Sequence, residues 1–163
     1  MARAVPRVRS PTSSAGCGAD PAPAMALVYL DASALVKLCV DEPGSALAAA
    51  LWDGADVVAT SRIADAEVRA TLASGRRSGR LDPAAARRAL EAWERLWPAL
   101  HVVEVTPELA DRAARLIARH PLRGGDALHL AAALTLRSPD LVVAVWDEHV
   151  AAAARAERLR VVP

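Results

Sequence analysis

The chain has 163 residues, of which 53% are hydrophobic and only 3% aromatic, and its formal net charge is +1. This length fits one domain with its own core, and the near-neutral charge gives no overall nucleic-acid signature. No run approaches the roughly 18 uncharged apolar residues of a membrane-spanning helix. Cys17 and Cys39 have no spacing typical of a disulfide or metal site, which is consistent with a reducing cytoplasm.

The first 24 residues differ in composition from the rest of the chain. They are rich in Pro, Ser, Gly, Ala and Arg, and they lack the apolar stretch of a secretory signal. Such a segment buries little apolar area, so we expect residues 1–24 to be a disordered extension. Because Met25 stands directly before the first predicted strand, an over-extended start is an equally good explanation. Residues 25–163 form the predicted domain.

From Ala26 onward, short apolar runs alternate with helical patterns. Asp82-Pro83 and Thr106-Pro107 are typical helix starts, with an N-cap followed by proline at the first helical position. The pattern predicts a parallel sheet covered by helices on both faces. The predicted strands are 26–30, 56–60, 101–105, 141–146 and 160–162. The predicted helices are 32–40, 44–53, 62–74, 83–97, 107–119, 126–137 and 148–157.

Four acidic residues stand at or near the boundaries of these elements. Asp31 and Asp147 each follow an apolar strand, Asp126 opens a predicted helix, and Glu67 lies on the helix after the second strand. Ligands of open α/β sheets bind at the carboxyl ends of the strands. Carboxylates that converge there, without a matching lysine or cysteine cluster, indicate a site for hard divalent cations such as Mg²⁺ or Mn²⁺.

Each acid taken alone also has a purely structural explanation. Aspartate is a favoured N-cap, so Asp31, Asp126 and Asp147 can simply accept hydrogen bonds at helix starts. Glu67 can be a solvated helix residue. A cap also tolerates Ser, Thr or Asn, whereas this chain has Asp at all three places. The combination therefore favours a metal site of the kind that phosphoryl transfer uses.

Other α/β chemistries leave motifs that this chain lacks. It contains neither G-x-G-x-x-G after the first strand nor G-x-x-x-x-G-K-[ST], which disfavours dinucleotide binding and excludes a P-loop. It also lacks the G-x-S-x-G motif of serine hydrolases. Haloacid-dehalogenase-like phosphatases need a second acid two residues after the first, and Ser33 holds that position.

The motifs around the acids, in their order along the chain, resemble those of PIN domains and especially of VapC-type toxins. Leu30–Leu38 resembles the opening motif, Ala66–Arg69 the second, Leu122–Leu134 the third and most specific, and Trp146–Ala154 the fourth. The resemblance covers residues 26–162. It implies a PIN-like three-layer α/β/α fold with a mostly parallel central sheet. It also implies a metal-dependent endoribonuclease that is the toxin of a type II toxin–antitoxin pair.

The resemblance further implies roles for single residues. Ser33 corresponds to the small hydroxyl residue that supports the first acid. Two residues before the fourth acid, Val145 replaces the Thr or Ser that is common in the family, so the fourth acid is the weakest assignment. We expect Mg²⁺ or Mn²⁺ to activate water, with no side-chain nucleophile. The residues at the acidic, metal-binding positions are Asp31, Glu67, Asp126 and Asp147.

Several other side chains have two interpretations each. His129, one turn after Asp126, either approaches the pocket or, as we favour, packs within the helix layer. Trp146 either stacks on a base or, as strand alternation favours, belongs to the core. Arg123 is placed to meet a phosphate or an acid of the pocket. Two further sets either bind RNA phosphates or form a solvated surface: Arg76, Arg77, Arg80, Arg87 and Arg88, and Arg112, Arg115 and Arg119.

The resemblance implies an RNA substrate, a cognate antitoxin protein and a homodimer. We expect the antitoxin to insert an Arg or Lys among Asp31, Glu67 and Asp126, where it pairs with carboxylates. Apolar surfaces on helices 44–53 and 62–74 would anchor the rest of that segment. Two alternatives remain open: a non-catalytic RNA-binding or scaffold protein on the same fold, and a metal-dependent phosphatase.

Overall fold

The computed structural model describes residues 25–136 and 138–163. The predicted disordered extension, residues 1–24, lies outside the described residues, as does Arg137. The strands of the described part are β1 (Leu27–Leu30), β2 (Val57–Ser61), β3 (His101–Val103), β4 (Val142–Ala144) and β5 (Arg160–Val162). Its α-helices are α1 (Ala32–Cys39), α2 (Ser45–Gly54), α3 (Ala64–Arg77), α4 (Pro83–Leu96), α5 (Pro107–Ile117), α6 (Gly124–Thr135) and α7 (Glu148–Ala156).

The described strands form one parallel sheet in the order β3-β2-β1-β4-β5. Tyr29 on the central strand β1 pairs in register with Ala59 on β2 and with Val143 on β4. The chain builds outward from β1 to β3 and then returns to the other side of β1. The strand order therefore reverses between β1 and β4, and ligands of such sheets bind at the carboxyl ends of the strands beside this switch point.

The two faces of the sheet bury two separate groups of side chains, as the predicted three-layer fold requires. Tyr29 and Val143 face the layer of α5, α6 and α7. Val28 and Leu30 face the layer of α1, α2, α3 and α4, where Trp93 is fully buried. In α6, Ala131, Ala132 and Ala133 are all buried, and their small side chains let this helix lie close to its neighbours.

The predicted elements are all present in the described residues, with bounds that differ at their ends. Helix α4 ends at Leu96, and a short 3₁₀ turn over Trp97–Ala99 follows, because Pro98 cannot donate a helical hydrogen bond. Helix α6 begins at Gly124, two residues before its predicted start, so Asp126 lies inside the first turn. Strand β4 has three residues where six were predicted. None of the helices in the described part is long and apolar enough to cross a membrane.

Candidate active site

Asp31 follows β1 directly and is the N-cap of α1. Its Oδ1 atom accepts hydrogen bonds from the backbone N–H of Ala34 at 2.8 Å and from the hydroxyl of Ser33 at 2.7 Å. Its own backbone N–H donates to the carbonyl of Ala144, across the switch point. Within the described residues, no hydrogen bond reaches Oδ2 of Asp31. The cap thus orients the carboxylate and leaves one oxygen for a ligand.

The Asp31 side chain is nearly out of contact with solvent, with 9% of its surface exposed. Burial raises the pKa of its carboxyl, and the negative charge of Glu67 acts in the same direction. The electrostatic interaction with His129 and the hydrogen bonds from Ser33 and Ala34 act the opposite way and only partly offset burial. A carboxylate desolvated to this extent is stabilised by a cation beside it.

Glu67 lies in the first turn of α3, shortly after the end of β2. Its Oε2 atom is 2.7 Å from Nε2 of His129 on α6. Its Oε1 atom lies against Gly125, where a Cβ atom would come within 2.7 Å of this oxygen. Glu67 therefore reaches from the layer of α3 to the first turn of α6 and approaches Asp31 closely enough to influence its pKa.

His129 is buried and lies between Glu67 and Tyr29. Its Nδ1 atom is 2.8 Å from the Tyr29 hydroxyl, and the two rings meet edge to face. Burial raises the pKa of the Tyr29 phenol well above its ordinary value, and the negative charges of Asp31 and Glu67 add to this effect. His129 is buried in the helix layer, as the sequence favoured, but its ring also contacts Glu67, an acid of the candidate site. Its spacing of three residues from Asp126 was the available signal.

Asp126 occupies the third position of α6, on the same helix as Gly125 and His129. Its Oδ2 atom accepts a hydrogen bond from the backbone N–H of Arg123 at 3.2 Å, so it caps the helix from inside the first turn. Its side chain is partly exposed. No hydrogen bond within residues 25–136 and 138–163 joins it to Asp31 or Glu67.

Asp147 is the N-cap of α7, beyond the end of β4. Its Oδ1 atom accepts hydrogen bonds from the backbone N–H groups of His149 at 2.8 Å and Val150 at 3.0 Å. The residue is exposed, while Val145 is buried and offers no hydroxyl. Asp147 shares the edge of the sheet with Asp31, because β4 is adjacent to β1. Its recorded contacts are those of a cap.

The donor chemistry of these acids fits a hard divalent cation. Among the described residues, no three His, Cys, Asp or Glu side chains are grouped so that they could hold a metal ion together. Mg²⁺ is usually bound through one or two carboxylates and several waters, so a closed protein cage is not required. The carboxylates of Asp31 and Asp126 each have one oxygen engaged by a cap and a second available.

Trp146 is held by a structural contact beside the site. It is half-buried and packs against the core of the α1–α4 layer, as strand alternation predicted. Lys37 lies 5.1 Å from its ring centroid. The backbone of Gly44, which has a φ of 95°, approaches the indole so closely that a Cβ atom would lie 2.7 Å from its Nε1.

The arginine sets that the sequence singled out differ in their surroundings. On α5 and after it, Arg112 donates to the carbonyl of Leu134 and Arg119 pairs with Glu157, so these two have structural partners. Three residues of the other set, Arg76, Arg77 and Arg87, border a groove of about 900 Å³ between α3 and α4, here called the α3–α4 groove. Its lining combines an apolar floor with a basic rim: Leu72, Ala73, Pro83, Ala86 and Leu90, with Arg69, Arg76, Arg77 and Arg87.

Comparison with known proteins agrees with this architecture. The family model of the PIN domain matches residues 28–156. The chain is 48% identical over 139 residues to the ribonucleases VapC45 and VapC49 of Mycobacterium tuberculosis (strains CDC 1551 / Oshkosh and ATCC 25618 / H37Rv, respectively), in an alignment that covers 85% of this chain and 96% of each relative. The resemblance recognised in the sequence motifs is confirmed.

Solved structures show the same fold at lower identity. VapC20 of Mycobacterium tuberculosis, a toxin that cleaves the sarcin–ricin loop, is 22% identical with a TM-score of 0.61, over 77% of this chain and 94% of that one. FitAcB of Neisseria gonorrhoeae is 18% identical with a TM-score of 0.63, over 83% and 96%. PIN-domain ribonucleases generally depend on divalent metal ions. The chain therefore belongs to the PIN-domain family, among its VapC-type ribonucleases.

Proposed function

We propose that this protein cleaves RNA internally, by attack of water on a phosphodiester, as the toxin of a type II toxin–antitoxin pair. The observation that carries the proposal is the position of Asp31 and Glu67. They lie near one another at the carboxyl edge of the sheet, beside the reversal of strand order between β1 and β4. Ligands of open α/β sheets bind in this place.

One or two of the carboxylates of Asp31, Glu67 and Asp126, together with waters, would hold Mg²⁺ or Mn²⁺. When bound, such a cation lowers the pKa of water and neutralises charge on the phosphate. The cap contacts of Asp31 orient its carboxylate before any ligand arrives, and Ser33 supports it with a hydroxyl hydrogen bond. We place Asp147 at the periphery of the proposed metal site, because the residue is exposed and its Oδ1 atom accepts hydrogen bonds from two backbone N–H groups.

A direct test compares two aspartate caps. Defined tRNA and rRNA fragments are incubated with the protein in Mg²⁺, in Mn²⁺ or in EDTA. Asp31→Asn is compared with Asp82→Asn, because Asp82 is the N-cap of α4, accepts a backbone hydrogen bond in the same way and is exposed. We expect cleavage that requires metal, disappears with Asp31→Asn and survives Asp82→Asn.

Three results would contradict the proposal. Cleavage that persists in EDTA, in a preparation free of other nucleases, would exclude the metal-dependent mechanism. Equal activity of the two Asp→Asn variants would show that Asp31 serves only as a cap. Hydrolysis of small phosphomonoesters, with RNA left intact, would instead identify a phosphatase.

For the antitoxin, the α3–α4 groove offers a binding surface. Its apolar floor suits the apolar face of an amphipathic segment, and its arginine rim suits acidic residues beside that face. Helix α3, which forms one wall of the groove, includes most of helix 62–74, one of the two helices predicted to anchor the antitoxin. The other wall is α4, whereas the sequence analysis expected helix 44–53 as the second anchor. From this groove the antitoxin segment would insert an Arg or Lys among Asp31, Glu67 and Asp126. We propose that both proteins act in the cytoplasm.

The partner proposal is tested by copurification. The protein is co-expressed with the small neighbouring open reading frame, and Arg76→Glu with Arg87→Glu is compared with the control Arg115→Glu on α5. We expect the groove variant to lose the partner and the control to keep it. Equal retention by both would exclude the groove. The homodimer that the family implies is tested on the free protein by light scattering.

A further inference from the structure

A line of two hydrogen bonds, one buried and one partly buried, runs from the central strand to one acid of the candidate site. It joins Tyr29 on β1, His129 on α6 and Glu67 on α3, with separations of 2.8 and 2.7 Å between the bonded atoms. We propose that His129, oriented by Tyr29, is a positioning residue that holds the Glu67 carboxylate in its metal-binding orientation. This inference rests on the proposed function, since it concerns the same acid.

The burial of Tyr29 determines where the protons lie along this line of hydrogen bonds. The side chain of Tyr29 is 1% exposed, so its hydroxyl has no access to solvent. Among the described residues, Nδ1 of His129 is the one acceptor within hydrogen-bond distance of the Tyr29 hydroxyl. A buried hydroxyl must donate where an acceptor is available. Tyr29 therefore donates to Nδ1, and the imidazole keeps a proton on Nε2.

This tautomer of His129 determines the direction of its hydrogen bond with Glu67. The Nε2–H group of His129 donates to Oε2 of Glu67, which is a pure acceptor when ionised. The side chain of His129 is 6% exposed and that of Glu67 is 37% exposed. A rigid, buried donor thus holds the end of a side chain that would otherwise sample several rotamers at the surface. Partners that orient a metal ligand in this way contribute to metal affinity.

Gly125 leaves space for the other carboxylate oxygen. A Cβ atom at this position would lie 2.7 Å from Oε1 of Glu67, closer than real side chains approach. Oε1 therefore occupies space that only a glycine leaves open, while Oε2 is held by His129. A side chain at Gly125 would therefore displace the carboxylate from this orientation. A purely structural histidine would contribute to the stability of the core and leave metal binding unchanged.

The test measures metal affinity apart from activity. Full-length His129→Asn, His129→Gln and Tyr29→Phe are titrated with Mn²⁺, and free Mn²⁺ is followed by electron paramagnetic resonance. Glutamine can place an amide N–H where Nε2 lies, whereas asparagine is too short. We expect about 10-fold or greater loss of affinity with His129→Asn, partial rescue with His129→Gln, and an intermediate loss with Tyr29→Phe.

A matched control and a spectroscopic signature complete the experiment. His120→Asn breaks another histidine–glutamate pair, between His120 and Glu157 at 2.8 Å, and should leave Mn²⁺ affinity unchanged. Nitrogen-15 NMR of the imidazole should show His129 as the Nε2–H tautomer, and Tyr29→Phe should allow the other tautomer to appear. If His129→Asn does not fold, Tyr29→Phe and His129→Gln, which change less volume, provide the comparison.

The outcomes separate this inference from the proposed function. If wild type binds Mn²⁺ and the folded His129 and Tyr29 variants bind it equally well, the positioning role is wrong and the metal-dependent ribonuclease stands. The Nδ1–H tautomer in wild type would likewise overturn the inference. If wild type cleaves RNA and binds no Mn²⁺ or Mg²⁺, the metal-dependent mechanism is wrong, and the inference fails with it.

Discussion

At the scale of single residues, two properties of Asp31 have opposite effects on the stability of the folded protein. As a cap, it accepts hydrogen bonds from Ala34 and Ser33, which favours the fold. As a buried carboxyl, it loses water, and burial raises its pKa. A residue selected for stability alone would be a neutral cap. A charge at this buried position is what we expect of a residue that binds a cation.

Asp31→Asn is therefore expected to abolish cleavage and to stabilise the metal-free protein. Asparagine keeps the acceptor for Ala34 and removes the buried charge. We expect a gain of about 1 kcal/mol in the free energy of unfolding, which corresponds to roughly 2–4 °C in melting temperature. The measurement is thermal denaturation in EDTA. A variant that melts below wild type would show that burial of the charge costs less free energy than the charge adds to the hydrogen bonds from Ala34 and Ser33.

The same variant has a defined pH dependence. The folded pKa of Asp31 lies above the unfolded value, so its favourable contribution is present below the unfolded pKa and is lost as pH rises through the folded pKa. The gain from Asp31→Asn should be absent below about pH 4, where the carboxyl is protonated in the unfolded chain as well, and should grow as pH rises until it is full above the folded pKa. Denaturation in EDTA at several pH values tests this. An equal gain at all pH values would contradict it.

At the scale of elements, the first turn of α6 decides where two acids lie. Its glycines, Gly124 and Gly125, extend the helix two residues before the predicted start, and Asp126 accepts a hydrogen bond from Arg123 inside that turn. The lack of a side chain at Gly125 leaves space for Glu67. One short turn thus presents one acid and accommodates another.

This arrangement predicts opposite outcomes for two neighbouring substitutions. Gly124→Ala meets no atom within 4 Å and favours helix, so fold and cleavage should be retained. Gly125→Ala should also fold, but its Cβ displaces the Glu67 carboxylate, and cleavage should fall about 10-fold or more. Circular dichroism and RNA cleavage are the measurements. Equal activity of the two variants would show that Glu67 moves aside without consequence.

At the scale of the whole molecule, the site exists only in the folded chain. Glu67 and His129 are 62 residues apart in sequence, and Tyr29 and His129 are 100 apart. A metal ion that binds these acids must therefore stabilise the folded state over the unfolded one. The expected stabilisation is about 2.7 kcal/mol at a metal concentration 100 times Kd.

Mn²⁺ and Mg²⁺ should accordingly raise the melting temperature of wild type. The increase should depend on metal concentration, reverse with EDTA and be much smaller in Asp31→Asn, while Asp82→Asn should keep it. Differential scanning fluorimetry over a metal titration measures this. An identical shift in Asp31→Asn would place the stabilising metal elsewhere in the molecule.

The segment before Met25 should contribute little to the domain. The proline-rich composition of residues 1–24 disfavours burial of apolar area. A chain that begins at Met25 should melt at the same temperature and cleave RNA at the same rate as the full chain. A marked loss of either on truncation would refute this prediction.

The sequence by itself determined the order of the elements, the parallel sheet and the family. These depend on local signals: apolar runs of strand length, proline after the caps Asp82 and Thr106, and acids at the ends of β1 and β4. The caps formed as the pattern predicted, with Asp82 bonded to Ala85 and Thr106 to Leu109. Local signals suffice here because each acts within one helical turn or one strand.

Only the tertiary structure decided how the acids are arranged. It placed His129 between Tyr29 and Glu67, set Glu67 against Gly125, and left Asp147 as an exposed cap. These contacts join elements from the centre and from both layers of the sheet. The geometry of these contacts depends on how closely whole helices pack across the strands. Hydrophobic periodicity in the sequence identifies the buried face of a helix. It does not specify which side chain from a remote part of the chain will contact that face.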